Sequence, residues 1–184
     1  VSLSKVTFEN NSNVAALGDG AFSGCSKLTS VKLPATLQNV SAKLFDGCAN
    51  LVNIEVEESS NYLSAENSIL YDKAKTRMIY YPSYKSDTEF IVPETIEVID
   101  ANLFKGNVSL EKIIFGKNVR EIGASAFEGC ANLMKVVFVT GGENELVIGE
   151  RAFASCSAFE GIYIADSATA SEDEYELGTP ATLR

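Results

Sequence analysis

The stretch IGASAFEGCANLMKVVF, residues 122–138, contains an apolar residue, a phenylalanine five positions later, and apolar residues six, nine and eleven positions after that phenylalanine. The same spacing recurs along the 184-residue chain. The five full copies are Leu17-Phe22-Leu28-Val31-Leu33, Val40-Phe45-Leu51-Ile54-Val56, Ile99-Phe104-Leu110-Ile113-Phe115, Ile122-Phe127-Leu133-Val136-Phe138 and Ile148-Phe153-Phe159-Ile162-Ile164. Successive phenylalanines are 23, 59, 23 and 26 residues apart. This regular spacing predicts a solenoid of stacked turns.

Partial copies extend the pattern beyond these five. The segment ending at Phe8 matches the last three positions of a copy, and the segment ending at Val92 precedes PETI as the one ending at Leu33 precedes PATL. A period of about 20–29 residues is typical of the leucine-rich class, in which each repeat supplies one short strand. We therefore predict seven short strands and one long turn from Glu57 to Glu89. The predicted strand-end residues are Phe8, Leu33, Val56, Val92, Phe115, Phe138 and Ile164.

The segment before each repeat phenylalanine, such as SAKLF or GASAF, has near-helical spacing, and we predict a short helical turn there. Glycine follows two residues after the phenylalanine at Gly24, Gly47, Gly106 and Gly129. A left-handed backbone, which glycine adopts readily, would end that turn. Ser155 replaces glycine in the last copy and predicts a looser turn. Because one turn cannot bury its own apolar row, equivalent residues should stack in columns, including a column of phenylalanines.

Three of these segments resemble a known repeat family. IGASAFEGCANLMKVVF, LGDGAFSGCSKLTSVKLP and SAKLFDGCANLVNIEV are similar to the BspA-like, or Treponema-type, subclass of leucine-rich repeats. NSILYDKAKTRMIYYP resembles the hairpin-like interruption common in that subclass. The resemblance implies a right-handed curved solenoid with a parallel sheet on its concave face and short helical turns opposite. It also implies a bacterial cell-surface or secreted protein, with adhesion as the activity of better-known members.

The domain organisation follows from the extent of the repeats. We predict a single leucine-rich-repeat solenoid over residues 1–164, with a hairpin-like insertion at 57–89, followed by an acidic cap or linker at 165–184. Val1 falls inside a repeat, so we expect the sequence to be part of a longer exported chain. No apolar run approaches the roughly 18–20 residues of a membrane span, and no signal peptide is visible.

The charge balance argues against a nucleic-acid partner. The chain has 15 Lys and Arg residues against 25 Asp and Glu residues, for a formal net charge of −10. Nucleic-acid-binding proteins usually carry a basic face instead. Much of the acidic excess lies near the C-terminus, at Asp166, Glu172, Asp173, Glu174 and Glu176.

Four cysteines occupy one repeat position, three residues after the phenylalanine. They are Cys25, Cys48, Cys130 and Cys156, with Asn107 in the same position of the third copy. Equivalent side chains in stacked turns point in parallel, so we predict buried free thiols, which behave as small hydrophobic groups. Disulfides between adjacent turns, Cys25 to Cys48 and Cys130 to Cys156, are the alternative. Without C-x-x-C or histidine, no zinc site and no cofactor are predicted.

The sequence contains no recognisable catalytic constellation. Histidine is absent, which removes the usual general base. GDGAFSG lacks the Lys-Ser/Thr ending of a phosphate-binding loop. We interpret Glu55 and Glu57 as a solvated edge rather than a glycosidase pair, and SEDEYE as a solvated tail rather than a calcium site. The chain is therefore not predicted to be an enzyme.

The residues just before and between the buried pair of each strand should face the concave side. In the last four turns these positions are largely apolar, with charges beside them. The candidate partner-binding residues are Glu89, Ile91, Lys112, Ile114, Lys135, Val137 and Tyr163. An exposed apolar stripe of this length would be unusual unless something binds it. The alternatives are that β-rich surfaces tolerate scattered Ile and Val, or that a missing segment covers them.

The long turn supplies a second candidate surface. It contains five of the seven tyrosines, and SILY and RMIYY read as two strands around the turn DKAKT. Because Tyr and Arg are common at binding hot spots, Lys73, Lys75, Arg77, Tyr80 and Tyr81 form the secondary candidate site. The alternative is a hairpin whose tyrosines pack on the protein's own apolar surface.

Two functions remain open on this sequence. The first is an extracellular adhesion module that binds a protein, such as a host matrix or plasma protein or another cell-surface protein, through its concave sheet. The second is a structural spacer that carries another domain away from the cell surface without binding anything itself.

Overall fold

The computed structural model describes residues 2–9, 12–83, 85–142, 145–168 and the strand at 176–177. The chain divides into two compact units, Val1–Lys85 and Ser86–Arg184. Repeat turns occur in both units, and the long insertion lies in the first.

The first unit contains two parallel repeat strands, β1 at Ser30–Leu33 and β2 at Asn53–Val56. They pair in the register set by the repeat, with Val31 opposite Ile54. Exposed and buried residues alternate along β1, as predicted for a strand with one face on the core. The expectation of a further strand ending at Phe8 is wrong, because residues 2–9 contain no regular secondary structure. A depression of about 300 Å³ is lined by residues 5–8 of that segment, residues 30–32 of β1 and residue 57.

The insertion in the first unit forms three antiparallel strands, β3 at Leu63–Glu66, β4 at Ile69–Asp72 and β5 at Arg77–Tyr80. The predicted hairpin of SILY and RMIYY is therefore confirmed as β4 and β5. The structure adds β3, which the sequence did not indicate. A two-residue turn at Asn67 and Ser68 joins β3 to β4, and both residues have positive φ, as such hairpin turns require.

The second unit contains two rows of parallel strands. In chain order the strands of this unit are β6 at Glu89–Ile91, β7 at Val98–Ile99, β8 at Lys112–Phe115, β9 at Glu121–Ile122, β10 at Lys135–Val139, β11 at Val147–Ile148, β12 at Gly161–Ala165 and β13 at Glu176–Leu177. The main row runs β6-β8-β10-β12, and β13 joins β12 in the antiparallel direction. The short strands β7, β9 and β11 form the second row. Each short strand contains the first apolar residue of a repeat, a role that the sequence analysis did not predict.

The predicted helical turns are largely absent. Among the described residues the one regular helix is a 3₁₀ turn at Ala42–Phe45. In the second unit the residue two positions before the repeat phenylalanine has positive φ, at Asn102, Ser125 and Arg151, which interrupts a right-handed helix. The N–H groups of Phe104 and Phe127 instead donate to carbonyl oxygens of the following turn, at 2.8 and 2.7 Å. Hydrogen bonding between turns has replaced hydrogen bonding within a helix.

The predicted glycine positions adopt the expected left-handed backbone. Gly24, Gly47, Gly106 and Gly129 have φ between 70° and 77°. Ser155 has φ of 61°, so the last copy keeps the same turn and the expectation of a looser one is wrong.

The phenylalanine columns are confirmed in both units. Phe22 stacks on Phe45 with ring centroids 5.7 Å apart. In the second unit Phe127 stacks between Phe104 at 4.8 Å and Phe153 at 5.1 Å. Each such stacked pair stabilises the fold by about 0.5–1.5 kcal/mol beyond the contribution from burying the rings. The columns hold successive strands at one register, and this register decides which side chains share the sheet face.

Candidate functional site

The main sheet of the second unit brings the predicted partner-binding residues together in two rows. The charged row consists of Glu89, Lys112 and Lys135, which are register partners across β6, β8 and β10. The apolar row consists of Ile91, Ile114, Val137 and Tyr163, which are register partners across β6, β8, β10 and β12. The adjacency follows directly from the repeat period, because strands related by one repeat pair residue for residue.

The burial of the apolar row differs from the sequence prediction. Ile91 is 46% exposed, but Ile114 is 1% and Val137 is 0% exposed. The expected open stripe is therefore wrong at its two central residues. Ile114, Val137 and the buried Ala165 form a cluster against which Val139, Tyr163 and Ala168 pack. The physical reason is non-local, because Ala168 lies beyond β12 and outside the repeat pattern.

The charged row is an ion-paired and partly buried surface. Lys112 Nζ lies 3.0 Å from Glu89 Oε2, and the Lys112 side chain is the more buried of the two. Lys135 Nζ lies 6.0 Å from the centre of the Tyr163 ring, within reach of a cation–π contact. A shallow depression runs beside this row, lined by Thr88, Glu89, Glu111, Lys112, Met134 and Lys135. Charged side chains thus flank the one exposed residue of the apolar row on β6.

The secondary candidate residues do not share one surface. Lys73 and Arg77 are exposed, and Lys75 forms an ion pair with Glu66 on β3. Tyr80 and Tyr81, in contrast, are buried. Tyr80 packs edge-on against the Phe45 ring at 5.2 Å. The tyrosines therefore belong to the core of the first unit, which favours the self-packed alternative for this part of the insertion.

An aspartate that the sequence analysis overlooked builds the tip of this hairpin. The Asp72 carboxylate accepts hydrogen bonds from the Thr76 N–H at 2.7 Å, the Thr76 hydroxyl at 2.8 Å and the Arg77 N–H at 2.8 Å. Lys75 has φ of 54° inside this turn. Asp and Thr four positions apart at a strand end are a recognisable turn signal, because Asp side chains readily bond nearby backbone N–H groups. The turn fixes where Lys73 and Lys75 emerge.

The cysteines form a ladder between turns. All four are free thiols; Cys25, Cys48 and Cys130 are buried and Cys156 is partly buried. Cys48 Sγ donates to the Phe22 oxygen at 3.0 Å, and Cys156 Sγ donates to the Phe127 oxygen at 3.2 Å. Burial raises the pKa of Cys48 and Cys156 above the ordinary value. A thiol of raised pKa is a poor nucleophile, so the ladder is structural rather than reactive.

The carboxylates considered for catalysis or metal binding have structural contacts. Glu55 Oε1 accepts a hydrogen bond from Asn53 at 2.8 Å, and Glu57 Oε2 accepts one from the Ala35 N–H at 3.0 Å. Across the part of the chain that the structure describes, no group of three or more His, Cys, Asp or Glu side chains could hold a metal ion. The SEDEYE segment lies outside the described residues except for the backbone of Glu176. Within the described ranges no helix is long and apolar enough to cross a membrane.

Comparison with solved structures identifies the fold. A leucine-rich repeat protein from Eubacterium ventriosum is 23% identical over 77% of this chain and 43% of that chain, with a TM-score of 0.59. The pneumococcal vaccine antigen PcpA is 18% identical over 98% and 56%, with a TM-score of 0.64. A leucine-rich cell surface protein from Faecalibacterium prausnitzii is 21% identical over 88% and 53%, with a TM-score of 0.58. The chain thus spans about half the length of these structures, and the likeness establishes a leucine-rich-repeat fold.

The family assignment rests on the repeats themselves. No curated protein sequence matches the chain. The profile of the BspA type leucine rich repeat region matches residues 1–86 and 79–175, in 6 copies. The described residues contain six repeat strands, β1, β2, β6, β8, β10 and β12, rather than the seven predicted, and this number agrees with the six copies. Since the match covers nearly the whole sequence, the chain belongs to the BspA-type leucine-rich repeat family.

Proposed function

We propose that this chain is an extracellular or cell-surface module that binds a protein partner through the main sheet of its second unit. The observation that carries the proposal is the register of the two rows, which places exposed Ile91 beside the Glu89–Lys112 ion pair. An apolar centre flanked by charges is the usual anatomy of a protein-binding patch. The seven predicted residues of the two rows remain the candidate site, with Ile91 and the charged row as its accessible part.

The surface location is inferred from the family and the structural neighbours. One neighbour is named as a vaccine antigen and another as a cell surface protein. Leucine-rich solenoids present extended surfaces for binding rather than catalytic pockets. The absence of histidine from the sequence also removes the commonest catalytic base, so we propose a non-catalytic role.

A structural spacer is the second candidate function. One observation favours it: the centre of the apolar row is already buried within the chain, at Ile114 and Val137. A spacer needs stacked turns and a closed surface, and it needs no exposed site. The two functions differ in whether changing the accessible part of the sheet face alters binding.

The test is binding of the purified chain to a panel of extracellular matrix and plasma proteins. The site variant is Ile91→Asp, and the control is Val108→Asp. Val108 is 63% exposed in the same unit and lies outside the two rows, so it matches the change in chemistry at another place. We expect the site variant to lose the partner and the control to keep it. Equal binding by both variants would overturn the sheet-face site, and no binding by the unaltered chain would favour the spacer.

A further inference from the structure

The main sheet of the second unit ends in a strand of reversed direction. β6, β8, β10 and β12 are all parallel, but β13 pairs with β12 antiparallel, with Tyr163 opposite Leu177 and Ile164 opposite Glu176. An unpaired edge strand presents backbone N–H and C=O groups that readily accept another strand. The chain itself has filled the β12 edge, by turning back after Ala165.

Ala168, just beyond β12, packs on the face of this sheet. Val139 and Ala165 lie two residues beyond Val137 and Tyr163 in their strands, so all four side chains are on one face. Ala168 packs on the cluster of Ile114, Val137 and Ala165 from beyond β12. The return begins at Asp166, whose carboxylate accepts a hydrogen bond from the Thr140 hydroxyl at 3.2 Å.

The charges of the face and of the returning segment are complementary. Lys112 and Lys135 lie on the same side of the sheet as the apolar row. The segment of residues 171–176, SEDEYE, has four acidic side chains and no basic one. Complementary charge fixes the orientation and register of a docked segment even where it adds little affinity.

We propose that the β12 edge and the apolar row form a docking site for an extended acidic peptide strand, and that the chain's own C-terminal segment occupies this site in cis. Strand addition to a sheet edge takes affinity from backbone hydrogen bonds and specificity from the side chains beside the edge. β13 has two residues, so few backbone bonds hold it and the occupancy is reversible. This inference deepens the proposed function, since it states which chemistry the sheet face accepts and what an external partner must displace.

The test uses the full chain with its strand β13 disabled. Glu176→Pro with Leu177→Pro removes the backbone donors of β13, whereas Glu176→Thr with Leu177→Val keeps a strand-forming sequence and serves as the control. The probe is a fluorescent synthetic peptide with the sequence of residues 166–184. Hydrogen exchange of the amides at 161–165 reports the β12 edge, and exchange of β8 reports whether the unit remains folded.

We expect the proline variant to bind the peptide, and the unaltered chain and the control to bind it at least about tenfold more weakly. The cis segment competes with the peptide at an effective concentration on the order of 1 mM. If the peptide's dissociation constant is about 0.1 mM, this competition weakens its apparent binding about tenfold. Amides 161–165 should exchange faster in the proline variant and slow again with saturating peptide. A peptide containing the same two prolines should not bind.

Two outcomes would overturn the inference. Absence of peptide binding by the folded proline variant would remove the docking site, and equal binding by the variant and the unaltered chain would remove the cis occupancy. If the amides of β8 exchange rapidly in the double proline variant, the unit has unfolded, and Leu177→Pro alone replaces it as the milder variant. This experiment involves no external partner. Failure to bind matrix and plasma proteins would therefore count against the proposed function but leave the docking site for the C-terminal peptide untouched.

Discussion

Cys130 Sγ donates a hydrogen bond to the main-chain oxygen of Phe104, 26 residues earlier in the chain, at 3.0 Å. The same oxygen accepts a second hydrogen bond from the Asn107 N–H at 2.9 Å. Cys48, Cys130 and Cys156 each donate in this way to the preceding turn, at a carbonyl that already accepts a backbone N–H from its own turn. Where the third copy has Asn107 instead of cysteine, its side-chain oxygen accepts from the N–H groups of Ser109 and Leu110, both at 2.8 Å. The residue three positions after the repeat phenylalanine therefore makes a side-chain hydrogen bond at this turn, whether it is cysteine or asparagine.

Cys130→Ala should lower the free energy of unfolding by about 1–2 kcal/mol. The variant loses a buried sulfur and one hydrogen bond, but the Phe104 oxygen keeps its bond from Asn107. Urea unfolding measures the change. Cys156→Ala is the matched control, with a smaller expected loss because Cys156 is only partly buried and its bond is longer. An equal loss in both variants would show that burial does not set the size of the effect.

Native-state alkylation should modify Cys156 before Cys130. Burial, with the neighbouring charge of Cys156, raises the pKa of Cys130 to about 12. Because the thiolate is the reacting form, Cys130 should stay unmodified by iodoacetamide at pH 8 while the protein remains folded. Mass spectrometry of the digested protein measures the order, with a urea-unfolded sample as the control in which both thiols react. Prior modification of Cys130 in the folded protein would contradict the buried ladder.

The adjacency of the two rows could be predicted from the sequence, but the burial of their centre could not. The repeat period fixes the register of β6, β8 and β10, so Glu89, Lys112 and Lys135 had to be neighbours. The step from β10 to β12 is longer, yet Val137 still pairs with Tyr163, because the extra residues lie in the connection between those strands. Residues after Ala165 follow no repeat pattern, and the packing of Ala168 on the sheet depends on contacts far apart in sequence.

The helical turns were mispredicted for a related reason. The sequence of a segment such as GASAF indicates only the helix that it could form by itself. In the structure the Phe127 N–H donates instead to the Ala152 oxygen in the following turn. Those partners exist only once the turns have stacked. The first residue of each copy, such as Ile122, was read as a core position, and its pairing into a second strand row also depends on stacking.

Glu128→Gln should destabilise the protein at pH 7, with a loss that disappears in acid. Hydrogen bonds from Arg151, and then from Lys105 and Ser125, hold the pKa of Glu128 down to about 2. A lowered pKa in the folded state gives stability above the ordinary value of 4.5, and that stability is lost as the pH falls from 4.5 towards 2. Urea midpoints of the two proteins between pH 2 and 7 should converge over that window. A difference that persists at pH 2 would place the effect in packing rather than charge.

Gly123→Ala should destabilise the second unit by about 2–4 kcal/mol. A Cβ at Gly123 would lie 2.4 Å from the Ala101 nitrogen, a backbone atom of the preceding turn that cannot move aside. Gly116→Ala is the control, because the atoms nearest to a Cβ there belong to the flexible Glu94 carboxyl group, at 3.4 Å. Its unfolding free energy should change by less than about 0.5 kcal/mol. Urea unfolding of both variants decides the matter. Equal tolerance of the two substitutions would contradict the close approach of turns at Gly123.

Ile114→Asp should unfold the second unit, whereas Ile91→Asp should leave it folded. Both residues belong to the apolar row and are register partners, so the sequence treats them alike. Ile114 is 1% exposed within the Val137–Ala165 cluster, and an unpaired buried carboxylate there is destabilising by several kcal/mol. Ile91 is 46% exposed, and the same change should lower the unfolding free energy by less than about 1 kcal/mol. Hydrogen exchange of β8 and β10 distinguishes the outcomes. A folded Ile114→Asp protein would mean that the returning segment lifts from the sheet face at little expense, and that the whole row can become available to a partner.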